Sequence, residues 1–325
     1  MVKLSSRFSS GSIVIFLARH LINIMFITCV TYVWAAVYWL GGNEFWNKIE
    51  NYKPFVYRQL IPILTRLLGF REDLATVIIV TLSGIGFYIA LRELIYKYYE
   101  FSKKYEVVIL GFFITGLLFF SYERKPYDLP TAFLFTLALL FIAKDQIRNY
   151  MILFPFICLN KETAWLLIVF SLVFAQYMNY PKAQRNWLAL YQVFIYVGIM
   201  LGLHWYFADN PGVNAWVEPV KNLLRFIHNP AQTLLHLSVT TFLLFMACKD
   251  WYWKPALFRV ALLVMGPPLV FGYFIFGQAF EVRVFWEIYP VIVALSFPVM
   301  VELIERKNNE KENYPRDYFV HNDDK

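Results

Sequence analysis

Four short polar segments lie at the ends of long apolar runs in this sequence of 325 residues. These segments are YRQ at 57–59, KPYD at 125–128, NKET at 160–163 and EVRVFWE at 281–287. A carboxylate can accept the proton of a hydroxyl group, and Arg or Lys can hold a phosphate that departs with an electron pair. Together these residue types suit the transfer of a group from a phosphate ester to an alcohol.

The four clusters supply candidates for each role in such a reaction. We expect Asp128 or Glu162 to act as the catalytic base. The other polar residues are candidate ligands of the substrate and its phosphate: Arg58, Tyr127, Asn160, Lys161, Glu281, Arg283 and Glu287. We expect no bound cofactor. A divalent metal is compatible with the acids, but the sequence offers no firm ligand set.

Each cluster also has a purely structural interpretation. Asp128 precedes a first turn that contains Pro130, so its carboxylate could cap a helix. Arg283 and Glu287 are four residues apart, so on one helix they would lie on the same face and could form an ion pair. The segment 160–163 could be a tight turn whose charges face water. The sequence leaves these alternatives open.

The composition places the rest of the chain in a lipid bilayer. Apolar residues make up 59% of the sequence and charged residues 16%, against roughly 45–50% and 25% in soluble domains. Lipid can accommodate so much apolar surface, whereas a soluble fold of this size cannot bury it. The net charge is +7, and the basic residues lie mostly in short connections between apolar runs. This distribution indicates a role in membrane topology and in contacts with anionic lipid headgroups rather than in binding nucleic acid. Three well-separated cysteines predict neither a disulfide framework nor a zinc site.

The apolar runs predict an all-α, polytopic membrane bundle of about ten transmembrane helices (8–11). Two longer connections, 41–73 and 208–230, contain amphipathic segments that we expect to lie in the membrane interface. We expect one transmembrane domain over residues 1–304 and a polar cytoplasmic tail over 305–325. The ten runs cover residues 12–40, 74–96, 107–122, 128–143, 148–159, 163–180, 186–207, 231–248, 258–278 and 284–304.

Basic residues predict the orientation of the bundle. With the N-terminus in the cytoplasm and alternating spans, cytoplasmic segments hold 18 Lys and Arg residues and outer segments hold 11. We therefore expect a multi-pass protein of the cell (inner or plasma) membrane with both termini cytoplasmic. All four charged clusters then fall on the outer side. Ionisable groups at membrane depth cost several kcal/mol unless they pair or line a watery cavity, so we expect the clusters to converge at one site.

The chain resembles the GT-C superfamily of membrane glycosyltransferases. The resemblance is carried by the span pattern, the long first outer loop and the segments YRQLIP, KPYDLP, NKET and EVRVFWEIYP. It implies transfer from a polyprenyl-phosphate-linked sugar donor to a glycan or lipid acceptor at the outer face, in cell-envelope polysaccharide biosynthesis. GT-C enzymes commonly carry their acid in the first outer loop. Here that loop offers only Glu44, Glu50 and the adjacent Glu72 and Asp73, and Asp128 lies in the next outer loop.

Two other functions use the same residues. A transporter or flippase of a lipid-linked glycan would bind phosphate through the arginines and would need no base, so Asp128→Asn would be tolerated. Inverted repeats would favour it, and none is evident in the sequence. A non-catalytic membrane subunit of an envelope complex would depend on helix faces and would tolerate the loss of single charges.

Overall fold

The fold consists of helices throughout the part of the chain that can be described. The computed structural model describes residues 10–39, 53–119, 125–212, 219–276 and 282–308. These residues form α-helices and short 3-10 turns with no β-strand, and one isolated bridge joins Lys53 to Gly212. The all-α class predicted from the sequence is therefore confirmed.

Ten of the twelve described helices overlap the ten apolar runs of the sequence. The other two, α2 and α9, overlap the two segments predicted to be amphipathic. The helices are α1 (Ser10–Trp39), α2 (Leu60–Leu68), α3 (Glu72–Tyr98), α4 (Glu106–Phe119), α5 (Asp128–Ala143), α6 (Ile147–Asn160), α7 (Trp165–Tyr177), α8 (Lys182–Tyr206), α9 (Pro219–His228), α10 (Pro230–Cys248), α11 (Ala256–Phe276) and α12 (Tyr289–Asn308).

Four of these helices, α3, α8, α10 and α11, are long and apolar enough to cross a membrane. Shorter apolar segments lie in α1, α4, α5 and α7. Most of α8 and α10 is exposed, and their apolar side chains would contact lipid in a bilayer. The helices therefore indicate a membrane-associated protein.

Helix α3 lies at the centre of the bundle, where it packs against α1, α2, α4, α5 and α12. Glycines allow its close approach to two of these neighbours. A Cβ atom at Gly84 would lie 2.5 Å from Cγ2 of Thr31, and one at Gly86 would lie 2.7 Å from Cε2 of Phe133. Small residues at helix contacts are typical of membrane bundles, because they let backbones approach closely.

The contacts between connections fall into two separate sets, as expected if consecutive long helices run in opposite directions. At one end, the amide of Lys53 donates to the carbonyl of Pro211 at 2.9 Å. We call this the site end, since all the charged clusters described below lie there. At the opposite end, Lys249 Nζ donates to Glu302 at 2.7 Å and Lys144 lies 3.7 Å from Glu93.

The last helix extends beyond the boundary expected from the sequence. The sequence predicts a polar tail over residues 305–325, and α12 continues to Asn308 within that segment. Residues 309–325 of the predicted tail lie outside the described residues.

We predict that Gly116→Ala destabilises the bundle. A Cβ atom there would lie 2.6 Å from Cε1 of Tyr289. That ring is buried and its hydroxyl donates to the carbonyl of Phe112 at 2.5 Å, so it cannot move aside easily. We expect a loss of about 1–3 kcal/mol, as for other overpacked cores, measured as thermal unfolding in detergent.

The matched control is Gly111→Ala on the same helix, since no atom lies within 4 Å of a Cβ atom at this position. We expect it to be neutral or slightly stabilising, because Ala favours a helix over Gly by up to about 1 kcal/mol. Equal unfolding temperatures for the two variants would show that the contact between α4 and α12 is not tight.

Candidate functional site

Six charged side chains form one cluster at the site end. They come from four separate stretches of the chain and associate as three ion pairs. The cations are Arg58, Lys161 and Arg283, and the acids are Glu162, Glu287 and Asp128 respectively. The charges of the cluster therefore cancel, as is required of ionised groups placed away from water.

Arg58 binds Glu162 through two hydrogen bonds. Arg58 follows the 3-10 turn Phe55–Tyr57, and its Nε and Nη2 atoms donate to the two carboxylate oxygens at 2.9 and 2.5 Å. Burial lowers the pKa of Arg58, but the carboxylate of Glu162 outweighs this effect, so the pKa lies above its ordinary value. A bidentate pair of this kind is among the stronger polar contacts in proteins.

The ring of Tyr127 contacts two guanidinium groups. Cζ of Arg58 is 4.2 Å from the ring centroid and Cζ of Arg283 is 5.7 Å from it. Phe55 also contacts Arg58, with 5.8 Å between the guanidinium carbon and the ring centroid. Cation–π attraction holds the two arginines on this aromatic surface.

The second ion pair joins Arg283 to Asp128. Arg283 Nη1 lies 3.4 Å from Oδ1 of Asp128, and both side chains are almost fully buried. Oδ2 of Asp128 accepts a bond of 2.8 Å from the amide of Lys125. Asp128 is itself the first residue of α5, and its carboxylate oxygens bind the Lys125 amide and Arg283. The interpretation of Asp128 as the cap of α5 is therefore wrong, because its carboxylate binds the preceding turn.

The third ion pair joins Lys161 to Glu287, with 2.7 Å between Nζ and Oε1. The same oxygen accepts a bond of 2.7 Å from the hydroxyl of Thr163. Both charged side chains are enclosed, with exposed fractions of 4% and 0%. Next to them, Asn160 Nδ2 donates to the hydroxyl of Thr131 at 2.8 Å. The segment 160–163 is thus not a turn with all its charges in water.

The ion pair between Arg283 and Glu287 that the spacing allowed does not form. Arg283 lies in the 3-10 turn Val282–Phe285, and α12 begins only at Tyr289. Because the chain between the two residues is not α-helical, a spacing of four does not place them on one face. Each pairs instead with a residue from another connection.

The structure brings together eight of the nine site residues predicted from the sequence. The ninth, Glu281, lies outside the described residues. Three further residues contact the cluster and are not among the predicted ones: Phe55, Thr163 and Tyr196. The hydroxyl of Tyr196 donates to the carbonyl of Glu162 at 3.0 Å. Thr163 belongs to the NKET motif and could have been found. Tyr196 gave no signal, because it lies within a long apolar helix.

The three acids of the cluster differ in accessibility. The side chain of Glu162 is 44% exposed, whereas those of Asp128 and Glu287 are 1% and 0% exposed. Glu162 is therefore the one acid of the three that is substantially exposed. No group of His, Cys, Asp and Glu within the described ranges could hold a metal ion.

Some hydrogen-bonding capacity of the cluster is unused. Within the described part of the chain, Nη1 of Arg58, Oδ1 of Asn160 and Oε2 of Glu287 are buried and have no hydrogen-bond partner. Buried polar atoms are normally satisfied by protein or water, and exceptions often mark functional sites. The site can therefore accept further polar partners.

We predict that Glu287→Gln strongly destabilises the protein, because it leaves the charge of Lys161 buried and unpaired. Breaking a buried ion pair costs about 3–5 kcal/mol. The double variant Lys161→Met with Glu287→Leu removes both charges and should be more stable than Glu287→Gln. Thermal unfolding in detergent measures both effects.

The control for this prediction is Arg71→Gln, which removes a cation whose side chain is 78% exposed. We expect its unfolding temperature to match that of the unchanged protein, since exposed ion pairs contribute little. A double variant no more stable than Glu287→Gln would show that unpaired charge is not the cause of the loss.

The cluster must be interpreted from its own geometry. No family model matches the chain, and no curated protein or solved structure matches it either. The observation that bears on function is therefore an accessible carboxylate held by a buried guanidinium, at one end of a bundle of apolar helices.

Proposed function

We propose that the chain crosses the cell membrane about ten times, with both termini in the cytoplasm and the site end on the outer side. Three observations support this topology. Four helices have the length and composition of membrane spans, the contacts between connections fall into two separate sets, and Lys and Arg are more frequent on the side assigned to the cytoplasm.

On this topology, we propose that the protein is a glycosyltransferase of cell-envelope glycan assembly. Its donor is a sugar on a polyprenyl phosphate, and its acceptor is a glycan or a lipid. ATP and sugar nucleotides are not supplied at the outer face, so a lipid-carried donor is the available source of activated sugar. The supporting observation is the contact between Glu162 and Arg58. In this proposal Glu162 accepts the proton and Arg58 binds the phosphate, and both lie where the headgroup of the donor lipid would bind.

In the proposed reaction, the acceptor hydroxyl gives its proton to the carboxylate of Glu162. The acceptor oxygen forms a bond to the anomeric carbon of the sugar, and the bond from that carbon to the phosphate oxygen breaks. Polyprenyl phosphate departs with the electron pair, and Arg58 stabilises its charge. Asp128 was the other candidate base, but it is enclosed and paired with Arg283, so Glu162 suits the role better.

The two enclosed ion pairs serve a different purpose in this proposal. Arg283 lies against the same tyrosine ring as Arg58, and Lys161 precedes Glu162 in the chain and is anchored by Glu287. These two pairs therefore position the third pair, Arg58 with Glu162, and neither needs to contact the reacting atoms.

We predict that Glu162→Gln abolishes sugar transfer while leaving the fold intact. The full-length protein in lipid nanodiscs would be offered a panel of radiolabelled polyprenyl-phosphate sugars, and transfer to the acceptor fraction would be measured. Loss of a general base typically costs about 10²–10⁴-fold in rate. The matched control is Glu93→Gln at the opposite end, since Glu93 is 38% exposed and contacts Arg92.

Unfolding temperatures of both variants would show that a loss of rate is not a loss of fold. Transfer by Glu162→Gln at the unchanged rate would contradict the proposed base and favour a transporter or flippase, which needs none. No turnover of any donor in the panel by the unchanged protein would contradict the glycosyltransferase itself.

A further inference from the structure

The carboxylate of Glu162 is poorly placed to accept a proton in the geometry described above. Both of its oxygens accept hydrogen bonds from the guanidinium of Arg58. A carboxylate stabilised in its charged form by a cation resists protonation. A base at this position therefore has to be released from Arg58 before it can act.

The two partners differ in their freedom to move. The side chain of Arg58 is 9% exposed and its guanidinium lies against the rings of Tyr127 and Phe55. The side chain of Glu162 is 44% exposed, while its backbone carbonyl is held by the hydroxyl of Tyr196. The carboxylate can thus rotate away without displacing its own turn, whereas the guanidinium is fixed.

The other two cations of the cluster are not available for exchange. Lys161 and Arg283 are paired with acids that are 0% and 1% exposed, so neither acid can rotate into solvent. Breaking either pair would leave a buried charge without a counterion, at a cost of about 3–5 kcal/mol. Among the three pairs, the one formed by Arg58 is therefore the exchangeable one.

Arg58 also has donor capacity that Glu162 leaves unused. Its Nη1 atom is buried, and in the described part of the chain it has no hydrogen-bond partner. The phosphate of the donor is a diester between the lipid and the sugar, so it presents two unbridged oxygens and one negative charge, as a carboxylate does, and its bridging oxygens can accept a further hydrogen bond. Guanidinium groups bind phosphate through parallel hydrogen bonds. A phosphate at this place can satisfy Arg58 at least as well as Glu162 does.

From these observations we infer that the lipid phosphate of the substrate replaces Glu162 on Arg58, and that this exchange frees the carboxylate to act as the base. The inference rests on the proposed function and deepens it. After the exchange, Glu162 faces a bound anion in place of a cation, which favours proton uptake. The base is thus activated only when the donor lipid is bound, and the empty site keeps it paired.

The test is the binding of a polyprenyl monophosphate, the product of the proposed reaction, to the full-length protein in nanodiscs. We expect Glu162→Gln to bind it at least about tenfold more tightly than the unchanged protein, since the competing carboxylate is gone. We expect Arg58→Gln to bind it at least about tenfold more weakly. In the double variant, the gain from Glu162→Gln should disappear. Glu93→Gln should bind like the unchanged protein, and the polyprenol without phosphate should not distinguish the variants.

The outcomes separate this inference from the proposed function. If the unchanged protein binds the monophosphate and Arg58→Gln weakens binding, but Glu162→Gln does not tighten it, the exchange is wrong while the phosphate site stands. If neither the unchanged protein nor Glu162→Gln binds the monophosphate better than the polyprenol, both proposals fall. Unfolding temperatures of each variant would identify a loss of binding that comes from a loss of fold.

Discussion

The cost of burying charge is the constraint on which the rest of the structure depends. An ionised side chain removed from water is strongly unfavourable unless a counterion and further hydrogen bonds compensate it. Here three cations and three acids compensate one another, and each pair joins residues from different stretches of the chain. The pairs therefore hold the ends of the helices together. A change that leaves one charge without its counterion should destabilise the bundle.

The packing and direction of the helices bring the charged residues to one place. Glycines let α3 approach α1 and α5 closely, and the alternating directions of the long helices bring the charged connections to the same end. The enclosed pairs of Asp128 and Glu287 hold the framework, while Glu162 is the accessible acid. The difference in accessibility separates structural charges from the pair that we propose to act on substrate.

The all-α class and the membership of the cluster could be predicted from sequence for physical reasons. Long apolar runs predict where helices form in a lipid environment. Alternation of the spans then places Tyr127, Lys161 and Arg283 on one side before any contact is known. The pairing could not be predicted in the same way. Arg283 and Glu287 are four apart, but the chain between them is a 3-10 turn followed by an irregular turn. Their partners depend on long-range packing that spacing does not encode.

The aromatic contacts of the cluster and the accessibility of its acids also could not be predicted from the sequence. The arrangement of two arginines about Tyr127 requires two distant connections to be placed against one ring. The choice between Asp128 and Glu162 depends on which carboxylate is enclosed, which is a property of the packed bundle. The resemblance to the GT-C superfamily supplied the chemistry that we propose, and it stays a prediction.

The central claim, that the cluster faces the outer side of the membrane, is tested most directly by cysteine labelling. In a background lacking Cys29, Cys158 and Cys248, single cysteines would replace exposed residues at the site end (Arg66, Asp209) and at the opposite end (Lys97, Lys182). A membrane-impermeant maleimide would be applied to intact and to permeabilised cells. We expect the two site-end cysteines to react in intact cells, and the other two only after permeabilisation. Reaction of Lys97→Cys and Lys182→Cys in intact cells, with protection of the site-end pair, would place the cluster in the cytoplasm and contradict the proposed function.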